Sequence, residues 1–229
     1  MSGGVDSSLS AALLQQQGFA VEGVTMKLSA GICCDIASAQ AVCSHLGIPH
    51  RTIDMQQMFA QSVVHDFINE YRSGRTPNPC IRCNDIIKFQ FLLDHAMERG
   101  FRYLATGHYA RREQDPLSRQ YLLKKGCDAG KDQSYFLYRL TQWQLAHVLF
   151  PLGAMRKGEV RELARTMQLP VAERPESQEI CFVPDDDYRG FLAEHAPEVL
   201  REGEIVLTDG TVAGKHKGIA FFTVGQRRK

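Results

Sequence analysis

Three cysteines in the sequence have the spacing and the neighbours that thiol or metal chemistry requires. Cys80 and Cys83 form a Cys-x-x-Cys pair where a Pro-rich loop runs into a predicted helix, and Cys181 lies where a polar stretch becomes apolar. Such a pair is typical of thiol–disulfide exchange or of zinc binding, but no second pair at zinc spacing exists in the chain. We expect the helix dipole, with Arg82 and Lys88, to favour a thiolate at this pair. Cys181 alone would more often be a core residue.

The other cysteines bring the total to seven. An odd number without an N-terminal secretion signal argues against a disulfide framework and favours a reducing compartment, so we predict a cytoplasmic location. Cys33 and Cys34 are adjacent, which makes joint chelation of one metal ion difficult. Cys43 and Cys127 are as readily explained as buried thiols.

Residues 2–8, Ser-Gly-Gly-Val-Asp-Ser-Ser, have the composition of a phosphate-binding loop at the start of a helix. The glycines let backbone N–H groups approach an anion, and the helix N-terminus adds its positive dipole end. Asp6 would repel a phosphate unless Mg²⁺ lies between them, which indicates a metal-bound nucleotide. The chain lacks Gly-Lys-Ser/Thr, so the loop differs from the ordinary P-loop. On the glycines alone, a capped helix would be the simpler interpretation.

The surrounding pattern alternates short apolar strands with amphipathic helices. This predicts an α/β fold with a doubly wound, mostly parallel sheet, in which ligands bind at the carboxyl ends of the strands. Residues 23–27 and 106–108 should therefore face the same nucleotide as the loop. The predicted helices cover 7–17, 35–46, 59–71 and 85–99, and the predicted strands cover 20–26, 51–54 and 103–106.

The pattern changes after about residue 140. Helices are predicted at 142–149, 157–167 and 187–195, followed by strands at 204–207, 211–212 and 220–224 around an Asp-Gly hairpin signal. We therefore predict a catalytic α/β domain over 1–145 and a small α+β domain over 146–229.

Composition excludes several classes of protein and leaves one clue. The 229 residues are 44% hydrophobic and 23% charged, which is ordinary globular composition, and no apolar run approaches the roughly 18 residues of a membrane span. The net charge is +1, but residues 71–139 hold 13 Lys and Arg against 7 Asp and Glu. A locally basic third would suit one face meeting a polyanion, and it would equally suit a solvated surface.

Taken together, six strings resemble those of the bacterial tRNA-specific 2-thiouridylases, a family of the N-type ATP pyrophosphatases. The loop at 2–8 is shared with other adenylating families, whereas the remaining strings single out this one, and together they span nearly the whole chain. In order, they are Ser-Gly-Gly-Val-Asp-Ser-Ser at 2–8, Thr-Pro-Asn-Pro-x-Ile-x-Cys-Asn at 76–84, Ala-Thr-Gly-His-Tyr-Ala-Arg at 105–111, Lys-Asp-Gln-Ser-Tyr-Phe-Leu at 131–137, Glu-Ser-Gln-Glu-Ile-Cys-Phe at 176–182 and Gly-Gln-Arg-Arg-Lys at 225–229.

The resemblance implies a role for each matching residue. Cys83 matches the nucleophile and Cys181 the carrier of a persulfide. The positions that match ATP-binding residues are Met1, Ser2, Gly3, Gly4, Val5, Asp6, Ser7, Met26 and Gly107. The positions that match or flank tRNA-contacting residues are Asn78, Pro79, Cys80, His108, Lys131, Asp132 and Gln133.

The resemblance also implies a reaction and partners. ATP, with Mg²⁺, would adenylate O2 of the wobble uridine in tRNA, and a persulfide on Cys181 would then supply sulfur to give 2-thiouridine. A sulfur-carrier protein or a cysteine desulfurase relay would load Cys181. Cys83 would either reduce that persulfide, leaving a Cys83–Cys181 disulfide, or act covalently on the base. The uridine must leave its stack to react.

The chain departs from the family pattern at several points. Some members carry an acid/base Asp where this chain has Cys80, which a thiol replaces only in part, and Cys80 would compete with Cys83 for disulfide formation. The segment 31–35 is shorter than usual. We also expect the chain to lack the strand that precedes the loop and the C-terminal β-barrel, and to be poorly stable alone.

Two other functions fit the same loop. One is a different adenylating enzyme, such as an amide-forming synthetase, which would act on a free carboxylate. The other is an inactive tRNA-binding remnant, which would bind tRNA without releasing pyrophosphate.

Overall fold

The computed structural model describes residues 1–28, 35–176 and 180–227. Cys33 and Cys34 lie outside the described residues, as do residues 177–179 and 228–229 of two of the matching strings. The helices are α1 (Val5–Gln16), α2 (Ile36–Leu46), α3 (residues 56–72), α4 (residues 79–98), α5 (Gln142–His147), α6 (Lys157–Thr166) and α7 (Tyr188–His195). The strands are β1 (Gly23–Lys27), β2 (His50–Asp54), β3 (Leu104–Ala105), β4 (Ala110–Gln114), β5 (Tyr121–Lys125), β6 (Val148–Leu149), β7 (Gly203–Val206) and β8 (Val212–His216).

Two parallel strand pairs confirm the predicted α/β class. Strand β1 pairs with β2, with Gly23 opposite His50, and β3 pairs with β6, with Leu104 opposite Val148. Parallel neighbours require crossover connections, and α2 supplies the crossover between β1 and β2. Two antiparallel hairpins, β4–β5 and β7–β8, complete the strand pairs of the described residues.

Helices α3 and α4 change their winding along their length. Residues Ala60–Val64 of α3 and Cys83–Leu92 of α4 are π-helical, between α-helical turns on either side. Helix α4 begins at Pro79 rather than at the predicted residue 85, because Asn78 caps it and proline suits the first helical position. The Cys-x-x-Cys pair therefore lies inside the helix, not ahead of it.

Other differences from the predicted elements have local causes. The strand predicted at 220–224 is wrong: Ile219–Phe221 form a 3₁₀ turn, and Ala220 is buried in a hydrophobic cluster. Gly218 packs closely on Leu200: a Cβ added to Gly218 would lie 2.7 Å from the Cα of Leu200. The β4–β5 hairpin escaped prediction because charged residues occupy much of both strands. Strand β1 begins at Gly23, later than predicted.

A cluster of aromatic rings fixes the segment that carries Cys181. The Phe182 ring makes edge-to-face contacts with Phe59 and Phe67, with centroids 5.6 and 5.3 Å apart. This first cluster includes Cys83 of α4 as a buried member, and Cys181 packs against it. Packing on α3 and α4 thus brings two distant cysteines into one region.

A second cluster joins the start of the chain to its second half. Leu9 of α1 packs with Val160 and Ala164 of α6, and Tyr109 belongs to the same cluster. Both clusters contain residues from either side of the predicted boundary at 145, and that division of the chain stays a prediction. Within the described ranges, no helix is both long and apolar enough to cross a membrane.

Replacing Phe67 with Ala should lower the free energy of unfolding by about 3–5 kcal/mol, the usual cost of removing a buried aromatic ring. Phe67 is 1% exposed, and its ring contacts those of Tyr71, Phe182 and Phe191. Chemical denaturation measures the change. Leu117→Ala, at a side chain that is 93% exposed, is the control and should change stability by less than about 0.5 kcal/mol. Equal stability of the two variants would show that the cluster does not anchor this region.

Candidate functional site

The loop before α1 leaves the helix N-terminus open to an anion. Gly4 is the N-cap residue and its N–H donates to Ser2 Oγ at 3.4 Å, but no side chain caps the first turn of the helix. The Ser2 N–H donates to Ser7 Oγ at 3.1 Å, and the Ser8 hydroxyl donates to the Gly4 carbonyl at 2.8 Å. Gly3 has a φ of +78°, which allows the loop to turn. Uncapped N–H groups at the positive end of a helix are the donor set that a phosphate needs.

The end of β3 lies against this loop. A Cβ added to Gly107 would be 2.8 Å from the Asp6 carbonyl carbon and 2.9 Å from the Ser7 nitrogen, so the contact requires glycine. Met26, at the carboxyl end of β1, packs against the first cluster, and the Met1 amino group donates to the Val24 carbonyl. Of the predicted ATP-binding residues, Gly107 and residues 2–7 therefore lie together.

A lysine from α6 reaches the loop carboxylate. Lys157 Nζ donates to Asp6 Oδ1 and Oδ2 at 2.7 and 2.9 Å, and Lys157 is only 8% exposed. The Tyr109 hydroxyl also donates to Asp6 Oδ1, at 2.9 Å. Burial, together with the Asp6 charge, raises the pKa of Tyr109 well above its usual range, so this phenol stays protonated.

Glu176 connects this lysine to the segment predicted to contact tRNA. Its carboxylate accepts from Lys131 at 2.6 Å and lies 3.3 Å from Lys157 and 3.7 Å from Arg161. The Lys131 hydrogen bond, with the charge of Lys157, lowers the pKa of Glu176. One ionic network therefore joins Asp6 of the loop, Lys131 and Glu176. Glu176 precedes Cys181 in the chain.

A second cation holds the other side of the loop. Arg174 Nη1 donates to the Gly3 carbonyl at 3.0 Å and to Asp35 Oδ2 at 2.7 Å. Asp35 also accepts from the Ser38 N–H at 2.9 Å and from the Ser38 hydroxyl at 2.7 Å. These hydrogen bonds from Ser38, and then the one from Arg174, lower the pKa of Asp35 to about 2.

Around Cys80, the electrostatics oppose the thiolate that the sequence predicted. Desolvation by the surrounding protein raises the pKa of the Cys80 thiol, and the nearby Cys181 raises it further, whereas Lys88 lowers it. The residue itself remains exposed to solvent. Arg82 lies 3.6 Å from Asp66, so its charge is partly neutralised. The predicted activation is thus wrong for Cys80, which keeps its proton at neutral pH.

Cys43 and Cys127 differ in their exposure to solvent. Cys43 is buried, as predicted, and burial raises its pKa. Cys127 is exposed, so its prediction as a buried thiol is wrong: it lies in the turn that follows β5, where its N–H donates to the Gly153 carbonyl at 2.9 Å. Within the described residues, no group of three or more His, Cys, Asp and Glu side chains could hold a metal ion.

His108 links the phosphate loop to the cysteine helix. It follows Gly107, its ring lies between Phe89 of α4 and Phe150, and its Nδ1 is 2.9 Å from Thr106 Oγ1. Burial, with the charge of Lys88, holds the pKa of His108 well below its usual range. The imidazole is therefore neutral at physiological pH and can take part in hydrogen bonds without carrying charge.

Two of the predicted tRNA contacts have structural hydrogen bonds. Asp132 accepts from the Gly126 N–H at 2.9 Å and from the Ser134 hydroxyl at 2.9 Å. The Gln133 side chain accepts from the Tyr109 N–H at 3.1 Å. The Asp132 and Gln133 side chains therefore hold the turn together, whereas the Lys131 side chain is partly exposed at the surface of the protein. Asn78 caps α4 and Pro79 is its first residue, so they set where Cys80 lies.

Sequence reasoning missed the basic residues that reach the loop from far along the chain. Lys157 and Arg174 carry no motif of their own, and Tyr109 and Glu176 belonged to matching strings without an assigned role. For Lys157, the one available signal was its position at the start of a helix whose apolar face carries Val160 and Ala164.

The Asp35 pKa provides a test of the Arg174 clamp. Because the folded pKa of about 2 lies below 3.8, the usual value for an aspartate, Asp35 stabilises the fold above pH 3.8, and this contribution is lost as the pH falls through 2. Arg174→Gln should raise the Asp35 pKa only in part, since the bonds from Ser38 remain, and Ser38→Ala should also raise it. Carboxyl ¹³C NMR titration measures each value, with Asp35→Asn to assign the resonance. An unchanged Asp35 pKa in both variants would contradict these contacts.

Comparisons with known proteins agree with this geometry. The model of the tRNA methyl transferase HUP domain family matches residues 1–185, and that of the tRNA methyl transferase PRC-barrel domain matches residues 189–228. One solved structure, the U34-tRNA thiolase NcsA from Methanococcus maripaludis with its [4Fe-4S] cluster, has a TM-score of 0.49 at 20% identity, over 86% of this chain and 65% of that one. This similarity is too distant to bear on function.

Curated relatives are far more similar. The chain is 51% identical to tRNA-specific 2-thiouridylase MnmA 2 of Thermoanaerobacter sp. (strain X514), over all of this chain and 66% of that protein. It is 48% identical to tRNA-specific 2-thiouridylase MnmA of Halothermothrix orenii, over all of this chain and 67% of that protein. The chain thus spans about two thirds of the length of these relatives. With the family model matching residues 1–185, the chain belongs to the tRNA-specific 2-thiouridylase family.

Proposed function

We propose that the protein is a tRNA-uridine 2-sulfurtransferase that uses ATP and a cysteine persulfide to convert the wobble uridine into 2-thiouridine. The observation that carries the proposal is the meeting of Cys83 and Cys181 at one cluster. That cluster lies beside the helix that His108 connects to the phosphate loop. Membership of the family supports the same reaction.

The loop residues fit the triphosphate of ATP. Uncapped N–H groups at the start of α1 would bind the phosphates, and Lys157 and Arg174 supply positive charge on either side. Asp6 would hold Mg²⁺, which binds through one or two carboxylates together with phosphate oxygens. When bound, Mg²⁺ neutralises charge on the departing pyrophosphate. Lys157 would then exchange contacts with Asp6 for contacts with phosphate.

The uracil would lie between the loop and the cysteines. Its O2 is a poor leaving group until it takes the AMP group from ATP, with release of pyrophosphate. His108, neutral in this site, would position the base through a hydrogen bond. Cys80 holds its proton at neutral pH, so it can donate a hydrogen bond and competes weakly in disulfide exchange. Residues 78–80 and Lys131 would contact the tRNA.

The sulfur step balances with two cysteines. The Cys83 thiolate attacks the inner sulfur of a Cys181 persulfide, the S–S bond of the persulfide breaks, and the outer sulfur leaves as hydrosulfide. Hydrosulfide adds to C2 of the adenylated uridine, and AMP leaves with the former O2. The outer sulfur gains two electrons and the cysteines lose two, so an external dithiol must reduce the Cys83–Cys181 disulfide.

The partners and location are part of the same proposal. A persulfide on Cys181 requires a sulfur donor, which would be a carrier protein or a cysteine desulfurase relay. Half-burial of Cys181 leaves a part of the residue for such a donor to approach. The odd number of cysteines, seven, supports a reducing compartment, for which we propose the cytoplasm.

Cys83→Ser and Cys181→Ser should each abolish thiolation, because each removes one sulfur atom of the exchange. The assay is thionucleoside analysis of a tRNA with a wobble uridine, incubated with ATP, a persulfide donor and a dithiol. Cys127→Ser, at an exposed cysteine that no step uses, is the matched control and should keep full activity. Full activity of either catalytic variant would show that its cysteine has no role in sulfur transfer.

The same assay separates the alternative functions. An amide-forming synthetase would release pyrophosphate with a free carboxylate and not with tRNA. An inactive remnant would bind tRNA without releasing pyrophosphate. Either result would refute the proposed sulfurtransferase.

Gly107→Ala should weaken ATP binding by about tenfold to 100-fold, because the new methyl group would push the loop backbone out of position. Equilibrium binding of ATP measures the effect, and tRNA affinity should stay within a factor of about two. Gly214→Ala, where nothing lies within 4 Å of the added Cβ, is the control and should bind ATP normally. Normal ATP binding by Gly107→Ala would place the nucleotide away from this contact.

A further inference from the structure

Two large aromatic side chains are exposed next to the helix that carries the reactive cysteine. Tyr135 and Tyr138 are 64% and 63% exposed, although single exposed rings are common on proteins. Their ring centroids are 6.4 Å apart, with an angle of 40° between the planes. Together they form a local apolar surface that the fold does not bury. We call residues 134–138 the aromatic turn.

The backbone of the aromatic turn explains why the two rings share one side. Ser134–Leu137 form a 3₁₀ turn, in which side chains three residues apart lie above one another. Leu137 faces the opposite way and is 1% exposed, packed in the third cluster with Phe89 and Leu93. Burial of Leu137 therefore fixes Tyr135 and Tyr138 outward.

Polar contacts hold the aromatic turn against α4. The Asn84 side chain, next to Cys83, donates from Nδ2 to the Phe136 carbonyl at 3.1 Å. Arg139 donates to Asp85 of the same helix at 2.6 Å. Tyr135 thus lies within one hydrogen bond and two chain steps of Cys83. The rings are held beside the site rather than on a free loop.

Basic residues flank these rings in the chain, although Arg139 and Lys131 are also paired with Asp85 and Glu176. Arg139 follows Tyr138 directly and is half exposed, and Lys131 opens the same loop. The whole stretch 71–139 has six more basic than acidic residues. Exposed aromatic rings among basic side chains are the usual means of binding single-stranded nucleic acid, since every base has a face that can stack.

We propose that Tyr135 and Tyr138 form a stacking platform for unpaired nucleobases that flank the target uridine in the tRNA loop. The inference rests on the proposed function and adds the means by which the loop is held. A uridine that leaves its stack exposes the faces of its neighbours, and a ring beside the reactive cysteine replaces the lost stacking partner.

Affinity for tRNA tests the platform. Tyr135→Ala and Tyr138→Ala should each weaken binding of a tRNA with a wobble uridine by roughly fivefold or more, since stacking contributes ~1–3 kcal/mol per base. Tyr135→Phe and Tyr138→Phe keep the ring and should bind within a factor of about two of wild type. Phe19→Ala, at an exposed ring just beyond the carboxyl end of α1, is the control and should not change binding.

The salt dependence distinguishes stacking from phosphate contacts. Because a stacked ring releases no counterion, the slope of log K against log salt should be the same for the Ala variants and wild type. A shallower slope in these variants would assign the loss to phosphate contacts and overturn the proposal. 2-Aminopurine beside the target uridine gives a second readout: wild type should quench its fluorescence, and the Ala variants should quench it less.

The outcomes separate this inference from the proposed function. If wild type neither binds nor thiolates tRNA, the proposed function fails. If wild type does both and the Ala variants bind with unchanged affinity, the platform alone is refuted. Unchanged tRNA affinity with slower sulfur delivery from a carrier protein would make the rings a protein-docking surface, which also overturns the platform.

Discussion

The carboxylate of Asp6 is the point on which the rest of the site depends. It lies in the loop at the start of the chain, yet its partners are a lysine 151 residues later and a tyrosine 103 residues later. A largely buried ammonium is tolerated only when it is paired, and removing one partner of a buried pair typically costs ~3–5 kcal/mol. In this structure the contact ties the start of α6 to the loop before α1. Glu176 extends the same constraint to the chain just before Cys181.

Hydrophobic packing holds the two cysteines in position, and polar contacts hold the loop before α1. The cysteines lie against a cluster of phenylalanines, where packing leaves little freedom, whereas the loop is held by Lys157 and Arg174. The carboxyl end of β3 joins the two regions, because Gly107 touches the loop and His108 touches α4. Two residues shortly after β3 thus contact both regions.

Much of this arrangement could be predicted from the sequence, and the limits have physical causes. Helix and strand periodicity predicted α1, α2 and β2 to within two residues, because apolar spacing and turn residues mark them locally. The matching strings predicted Gly107 near the loop. Lys157 and Arg174 were missed because an ion pair between distant residues leaves no local pattern. The thiolate expected at Cys80 failed because desolvation depends on tertiary packing, and a dipole argument does not include it.

The π-helical winding of part of α4 affects how this one helix contributes side chains to two hydrophobic clusters. In Cys83–Leu92 the hydrogen bonds reach five residues back, so each residue turns through a smaller angle than in an α-helix. The phase of the helix therefore drifts along this stretch relative to plain α-helical winding. Its first part presents Cys83 and Ile87 to the cluster beside Cys181, and its last part presents Phe89 and Leu93 to the cluster under the aromatic turn. The angular phase of the helix thus contributes to which cluster Cys83 faces.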